Sequence, residues 1–269
     1  AATRPGDTVL VQPPVYYPFY NVIRQNERKV VESPLVYEDG KYSIDFSDVE
    51  RKIVENDVKL FILCSPHNPV CRVWTEEELF RLGVICKAHG VTVISDEIHC
   101  DFTLPGYTHT PFLKACPELM EDTLVCTAPS KTFNLAGLQA ATIVFPNQDL
   151  IDKYQKFWKS MDVHRNNSFS TVAVIAAFRE GEEWLDQLLK HLESNVLYVE
   201  QFLKDNIPEI KLHRPECTYL LWLNCKELGL KGDALPKFII EKAGLALNDG
   251  RGFGPEGEGY MRMNIACPL

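Results

Sequence analysis

The sequence has no long apolar run, no secretory signal and no excess of positive charge. None of its apolar runs reaches the roughly 18 residues that a membrane-spanning helix needs, and the N-terminus lacks the charged-then-apolar order of an export signal. Lysine and arginine number 28 against 37 aspartate and glutamate residues, and the basic residues are spread along the chain. We therefore predict a cytoplasmic protein that binds a small molecule and neither nucleic acid nor a membrane.

The cysteines also lack the order of a disulfide framework or a metal site. There are nine, an odd number, scattered and often next to apolar runs, which favours reduced thiols. Cys64, His67 and Cys71, followed by Cys86 and His89, resemble metal-ligand pairs only superficially, because their spacing does not repeat as two clean pairs. We expect no metal site.

What the sequence does contain is an alternation of short apolar runs with helical patterns. A helix is predicted from Thr75, whose hydroxyl can cap the helix while Glu78 returns the bond. Continuous apolar runs predict strands buried on both faces of a parallel sheet, at residues 58–63, 91–94, 123–126 and 141–145. The fold class is therefore predicted to be α/β.

The second half predicts helices and then a smaller α+β unit. A helix over 149–159 precedes a long helical pattern over 171–206 that breaks near Gly181. Strand-like runs at 219–223 and 260–265 then flank a helix over 234–243. We predict a large cofactor-binding domain over residues 1–183 and a small C-terminal domain over 184–269, joined by a long helix. Both ends look cut, so flanking sequence is expected to be missing.

Polar residues follow three of the predicted strands: Asn68, Asp96 and Lys131. Ligands of open α/β sheets lie at the carboxyl ends of strands, so these side chains can share one site. The lysine amine can hold a cofactor aldehyde as a Schiff base, and the carboxylate can keep a pyridine nitrogen protonated. Asn68 can donate its amide to an anionic ring oxygen. Taken singly, each also suits a plainer role, as a turn residue, a helix cap or a solvated lysine.

Four further residues could complete such a site. Tyr16 is suited to stack on an aromatic ring, and Tyr17 can use its hydroxyl nearby, although aromatic core packing is the alternative. His99 could pack on or hydrogen-bond to a cofactor, or be structural. Arg262 is a charge within a largely apolar strand, where a substrate carboxylate or a structural salt bridge would satisfy it.

Together these segments resemble fold-type I enzymes that depend on pyridoxal 5′-phosphate (PLP), within the class I/II aminotransferase superfamily. The narrower resemblance is to the MalY/PatB group of cystathionine β-lyases, and the pairing of DEIH with PSKTFN favours that group. The motifs that carry it are PVYYPF at 14–19, CSPHNP at 64–69, SDEIH at 95–99 and APSKTFNLAG at 128–137.

The resemblance implies roles for these residues in a homodimeric enzyme. Lys131 is implied as the Schiff-base lysine and catalytic residue, and Arg262 and Tyr17 as substrate-binding residues. The implied cofactor-binding residues are Asp96, Asn68, Tyr16, His99 and Ser130, the last at the phosphate. The implied reaction cleaves cystathionine or an S-substituted cysteine, a small amino acid, to a thiol, pyruvate and ammonia. An aminotransferase, or a regulatory protein that keeps the fold, is the alternative.

Two positions depart from the pattern of the group. Gln139 stands where many relatives carry an arginine that binds phosphate, so hydroxyls and backbone donors must serve the phosphate. Cys71 stands where lyase-like relatives carry glycine. If that position has a positive φ, the cysteine strains the turn by about 1 kcal/mol.

Overall fold

Twelve strands occur in the part of the chain that the computed structural model describes, residues 2–162 and 166–268. They are β1 (Thr8–Val11), β2 (Lys29–Glu32), β3 (Val36–Glu38), β4 (Lys41–Ser43), β5 (Val58–Cys64), β6 (Thr92–Asp96), β7 (Thr123–Thr127), β8 (Thr142–Val144), β9 (Lys211–His213), β10 (Leu220–Asn224), β11 (Asn248–Asp249) and β12 (Tyr260–Asn264).

The α-helices flank these strands along the chain. They are α1 (Pro18–Gln25), α2 (Phe46–Glu55), α3 (Glu76–Ala88), α4 (Phe112–Ala115), α5 (Pro129–Thr132), α6 (Gln148–Ser160), α7 (Ser168–Glu180), α8 (Glu182–Asn206) and α9 (Ala234–Phe238). The start of α3 has the predicted capping box: Thr75 Oγ1 accepts from Glu78 N at 3.1 Å, and a Glu78 carboxylate oxygen accepts from Thr75 N at 2.8 Å. No described helix is long and apolar enough to cross a membrane.

The larger sheet has the strand order β2-β1-β5-β6-β7-β8. All neighbouring pairs are parallel except β7 with β8, so the predicted α/β class with a mostly parallel sheet is confirmed. Leu10, Phe61, Leu63 and Val93 from its strands are buried in one large core. The parallel arrangement brings the carboxyl ends of β5, β6 and β7 to the same edge.

The prediction that residues 141–145 form a buried parallel strand is wrong. Strand β8 is an antiparallel edge strand, and Thr142 and Val144 are exposed. The segment between β7 and β8 contains only α5 and one short 3-10 turn, Ala136–Leu138, rather than a crossover helix. Without such a crossover, the chain re-enters the sheet from the end at which it left.

The smaller sheet is antiparallel, with the order β11-β12-β10-β9. Helix α8 supplies Leu192, Val196 and Leu203 to the core of this lobe. Gly181 separates α7 from α8, as predicted, and a Cβ there would lie only 2.3 Å from Phe133 Cε1. Glycine is therefore the residue that fits this break.

The two sheets are not independent in their packing. Trp222 of β10 and Tyr260 of β12 lie in the same core as the strands of the larger sheet. The indole nitrogen of Trp222 donates to the hydroxyl of Tyr42 in β4 at 3.0 Å. The division into domains at residues 183 and 184 stays a prediction.

Candidate active site

A cavity of about 260 Å³ lies at the carboxyl ends of β5 and β6, between the two sheets. Seven of the eight predicted site residues line it. They are Tyr16, Tyr17, Asn68, Asp96, His99, Lys131 and Arg262, together with Cys64, Ile98, Tyr219, Leu220 and Asn264. Strand ends from the larger sheet and β12 from the smaller one thus converge on a single site.

Asp96 is the last residue of β6, and its carboxylate has few hydrogen-bond partners within the protein. One oxygen accepts a hydrogen bond from Ile98 N at 3.2 Å, and the other accepts none from the described residues. Burial raises the pKa of Asp96 to about 6, while the charge of Lys131 acts in the opposite direction. A positively charged partner in the cavity would favour the ionised form.

Lys131 lies on the short helix α5, just after β7. Its side chain is half-buried, and it forms no ion pair with any residue in the described ranges. It lines both this cavity and a neighbouring one of about 280 Å³. The amine is therefore placed between the Asp96 cavity and the space under α8.

Arg262 projects from β12 into the cavity and meets only neutral partners. Its guanidinium donates to Asn68 Oδ1 at 3.0 Å and to Asn248 Oδ1 at 2.8 Å, and lies 4.6 Å from the centre of the Phe253 ring. Nε is buried with no hydrogen-bond partner among the described residues. Burial lowers the pKa of Arg262, yet a guanidinium stays charged at neutral pH. The cavity therefore presents a positive charge that an anion would compensate.

Asn68 has an orientation that suits the predicted role. Because its side-chain oxygen accepts from Arg262, its amide nitrogen is left to donate elsewhere. Its backbone N–H donates to Cys64 Sγ at 3.4 Å, which ties the residue to the end of β5.

The aromatic residues form one wall of the cavity. The Tyr16 ring lies 5.5 Å from Tyr17 and 5.9 Å from Phe19, and burial raises the Tyr16 pKa. His99 is buried 5.9 Å from the Tyr219 ring, and its Nδ1 has no partner in the described part of the chain. Burial lowers the pKa of His99 to about 3, so its imidazole is neutral at pH 7.

Ser130 is the predicted site residue that does not line the main cavity. It lies in the neighbouring cavity instead, with Trp184 and Leu188 of α8. Gln139 is exposed and has a φ of 53°, so it lies apart from the Asp96 cavity.

Cys71 does have the positive φ that the sequence pattern suggested, at 57°. Its thiol is buried within hydrogen-bonding distance of three oxygens: Pro69 O (3.1 Å), Thr218 Oγ1 (3.3 Å) and Leu220 O (3.2 Å). These contacts join the turn that carries Asn68 to the start of β10. The cysteine is thus held in a left-handed conformation that costs an L-residue roughly 1–2 kcal/mol.

The cysteines and His67 considered above as possible metal ligands form no metal site among the described residues. All nine cysteines are free thiols. His67 Nε2 lies 3.2 Å from the backbone oxygen of Gln12, and its ring packs edge-on against Trp74. Within residues 2–162 and 166–268, no three histidine, cysteine or acidic side chains form a group that could hold a metal ion.

Three contributors to the site were missed from the sequence: Tyr219, Asn248 and Phe253. The sequence pattern assigns Tyr219 only to a strand, while Asn248 and Phe253 lie between predicted elements. Their contacts with His99 and Arg262 depend on how the smaller sheet faces the larger one. Nothing in the local sequence signals that arrangement.

An α/β fold with a lysine, an aspartate and an arginine around one cavity between the two sheets is the arrangement expected from the sequence resemblance. Residues 1–268 match the family model for aminotransferase class I and II, and the chain belongs to that family.

Individual relatives within the family indicate a narrower class of enzyme. The chain is 43% identical over 274 residues to cystathionine beta-lyase PatB of Bacillus subtilis (strain 168), covering 100% of this chain and 70% of the relative. Cystalysin of Treponema denticola, which contains a PLP cofactor, has a TM-score of 0.96 at 37% identity over 99% of this chain and 68% of that one. The PLP-bound C-S lyase of Staphylococcus hominis has a TM-score of 0.92 at 38% identity, with 99% and 68% covered.

Proposed function

We propose that the protein is a PLP-dependent carbon–sulfur β-lyase that cleaves cystathionine or S-substituted cysteines to a thiol, pyruvate and ammonia. The observation that carries the proposal is the convergence of Lys131, Asp96, Asn68 and Arg262 on one cavity. Its relatives strengthen it, since they include a cystathionine beta-lyase at 43% identity and a PLP-bound C-S lyase of the same fold.

The residues of the cavity fit the functional groups of PLP. A carboxylate oxygen of Asp96 without an internal partner suits a protonated pyridine nitrogen, and the amide of Asn68 suits the ring oxygen. Lys131 supplies the amine that the aldehyde requires. We assign Tyr16 to the face of the ring and His99 to its surroundings. Ser130 is assigned to the phosphate, although it lines the neighbouring cavity.

When bound, PLP withdraws electrons from the substrate α-carbon. Asp96 keeps the proton on the pyridine nitrogen, which maintains that electron demand. Arg262 binds the substrate carboxylate with its guanidinium, and Asn68 and Asn248 orient it. Lys131 Nζ accepts the proton from the substrate α-carbon, and Tyr17 lines the space near the sulfur. A thiol then leaves from the β-carbon, and water converts the remaining fragment to pyruvate and ammonia.

We further propose that the protein acts as a cytoplasmic homodimer. Helix α7 supports self-association because it exposes Phe169, Val172 and Phe178, at 74%, 69% and 63% of their surface. Apolar side chains exposed this far on one helix are typical of a surface that another chain covers.

The experiment that tests the function measures products from L-cystathionine with PLP present. We expect pyruvate, ammonia and a thiol in equal amounts, with no need for a keto-acid acceptor. Strict dependence on an added keto acid, with the amino group transferred to it, would identify an aminotransferase instead. Cofactor binding without turnover of any amino acid would favour a regulatory protein that retains the fold.

A further inference from the structure

Tyr219 stands at the boundary between the candidate active site and the neighbouring cavity under α8. It is one of three residues that line both cavities, and Lys131 and Asn264 are the others. The proposed function gives Lys131 the proton transfer and leaves Tyr219 without a role. A polar side chain that meets the cavity beside the catalytic amine is placed to contact the substrate.

The ring of Tyr219 is held by two buried aromatic side chains. It packs edge-on against Phe102 at 5.1 Å and against His99 at 5.9 Å between ring centres. The hydroxyl, at the far end of the ring, forms no hydrogen bond with any residue that the structure describes. Burial raises the pKa of Tyr219, so the hydroxyl stays protonated at neutral pH and can donate a hydrogen bond.

The residue before Tyr219 fixes the direction of the chain at this point. Thr218 is fully buried and has a φ of 70°, a left-handed conformation that β-branched residues rarely adopt. Its N–H donates to Phe102 O at 2.7 Å, and its hydroxyl accepts from Leu220 N at 3.1 Å. Backbone strain of this kind persists where the surrounding structure holds it, commonly at binding and catalytic sites. The backbone on both sides of Tyr219 is therefore fixed.

The smaller sheet presents further hydrogen-bond donors to the cavity beside Tyr219. The Tyr219 backbone oxygen accepts from Ile265 N at 2.9 Å, so the residue lies next to the end of β12. Arg262 of that strand has a buried Nε without a partner among the described residues. Asn264, on the same face of β12, accepts from Ala266 N at 2.8 Å with its side-chain oxygen, which leaves its amide nitrogen to donate. Three donors, one of them charged, match the several acceptor positions of a carboxylate.

We propose that the Tyr219 hydroxyl donates a hydrogen bond to the substrate α-carboxylate that Arg262 binds. Asn264 is exposed, whereas Tyr219 is half-buried, so the hydrogen bond from the tyrosine is better shielded from water. Arg262 supplies the charge, and Tyr219 requires an acceptor at one fixed position. This role rests on the proposed PLP-dependent function and deepens it by naming a further residue that distinguishes amino acids from simple amines.

The test compares two amines that differ only in the carboxylate, L-alanine and ethylamine. Both can bind at the cofactor through the amino group, and neither has a leaving group on the β-carbon. The absorbance of the bound cofactor gives their dissociation constants in the PLP-loaded protein. We expect Tyr219→Phe, which keeps the ring, to raise the dissociation constant of L-alanine about tenfold and to change that of ethylamine by less than about twofold.

Tyr154→Phe is the matched control. Tyr154 is another half-buried tyrosine whose ring packs on two aromatic rings, Phe145 at 5.0 Å and Trp158 at 5.7 Å, and it lines neither cavity. Both dissociation constants should match those of the wild-type protein. Thermal unfolding of each variant reports whether the fold is intact.

Turnover of S-ethyl-L-cysteine identifies the group that the hydroxyl contacts. A contact with the carboxylate is present before and throughout the reaction, so its loss should raise KM and leave kcat close to the wild-type value. A fall in kcat with unchanged binding of L-alanine would place the hydroxyl at the departing sulfur and overturn the carboxylate assignment.

The outcomes separate the role of Tyr219 from the proposed function. If Tyr219→Phe binds L-alanine as tightly as the wild-type protein does, Tyr219 only packs, and the lyase function stands. If the wild-type protein releases no pyruvate from S-ethyl-L-cysteine or L-cystathionine, the lyase function fails, while a selective loss of L-alanine binding in Tyr219→Phe still establishes the contact. A wild-type protein that does not bind PLP would refute both.

Discussion

Arg72 belongs to the turn formed by residues 67–72, Arg262 contacts the same turn through Asn68, and the two arginines differ in how their charges are compensated. Arg72 is 2% exposed and pairs with Glu216 at 2.6 Å and Glu78 at 2.8 Å, and its Nε donates to Tyr42 O at 2.9 Å. Arg262 meets two neutral amide oxygens and an aromatic ring, and one of its donors has no partner among the described residues.

The contrast distinguishes a charge with a structural role from a charge that is available to bind a ligand. The charge of a buried arginine that contacts two carboxylates is compensated within the protein, because ion pairs and hydrogen bonds offset the cost of its desolvation. The neighbouring acids Glu97 and Asp96 differ in the same way. Glu97 accepts from Ser95 Oγ and Phe112 N at 2.9 Å each, whereas Asp96 accepts one bond from Ile98. In each pair, the residue whose charge is incompletely compensated lines the cavity: Arg262 in the first pair and Asp96 in the second.

The largest expected effect is at Lys131, which lines the cavity together with Arg262 and Asp96. Lys131→Ala should lower kcat with L-cystathionine by roughly 10³-fold or more, because the variant lacks the amine that takes the α-proton. The absorbance band of the bound cofactor near the edge of the visible range should also disappear. Lys87→Ala, on the surface of α3, is the control and should retain both. Near-normal turnover by Lys131→Ala would show that Lys131 is not the catalytic residue.

For Arg72, the arginine with a structural role, we predict that substitution lowers the stability of the protein. Arg72→Met leaves Glu216 buried without its partner and should lower the free energy of unfolding by about 3–5 kcal/mol. Urea unfolding measures this change. In the protein that remains folded, KM should be close to the wild-type value. An unaltered unfolding midpoint would show that the ion pairs contribute little.

Asp96 should give the cofactor-free protein a characteristic pH dependence. Its folded pKa of about 6 lies above the ordinary value of 3.8, so between these values the folded state binds more protons than the unfolded state. This contribution to stability is fully present below about pH 4 and is lost as the pH rises through about 6.

Asp96→Asn removes that dependence and tests it. From pH 4 to pH 8, the stability of the wild-type protein should fall by up to about 3 kcal/mol relative to the variant, while the variant binds PLP more weakly. Denaturant unfolding at several pH values measures the difference. Glu97→Gln is the contrasting control, expected to destabilise the protein. A pH-independent difference between wild type and Asp96→Asn would contradict the assignment.

The smallest of these effects is expected at Arg262. Arg262→Gln should raise KM for amino-acid substrates about 10- to 100-fold, because a charge-assisted contact with the α-carboxylate is lost. The melting temperature should change little, in contrast to Arg72→Met. Arg262→Lys should recover part of the loss. A large drop in melting temperature with normal KM would assign Arg262 to structure instead.

The sequence was a sound guide wherever the signal was local. Thr75 and Glu78 predicted a helix start, Gly181 predicted the break between α7 and α8, and strand ends located Asp96 and Lys131. Each of these depends on residues close together in the chain. The convergence of polar groups followed because parallel strands end at one edge of a sheet.

The remaining features depend on contacts between distant segments. Arg72 meets Glu216 from the start of the smaller lobe, and Tyr219 faces His99 only when the two sheets pack together. The antiparallel direction of β8 depends on the path of its connection and not on its apolar composition. These features could not be read from periodicity or from motifs.

The most direct test of the account is to locate the cofactor chemically. The protein is incubated with PLP and reduced with sodium borohydride, which fixes the bond between cofactor and lysine, and its peptides are then analysed by mass spectrometry. We predict one pyridoxyl group per chain, on the peptide that contains Lys131. Labelling of another lysine, or no specific labelling, would contradict the central claim that Lys131 and the incompletely paired charges around it form the cofactor site.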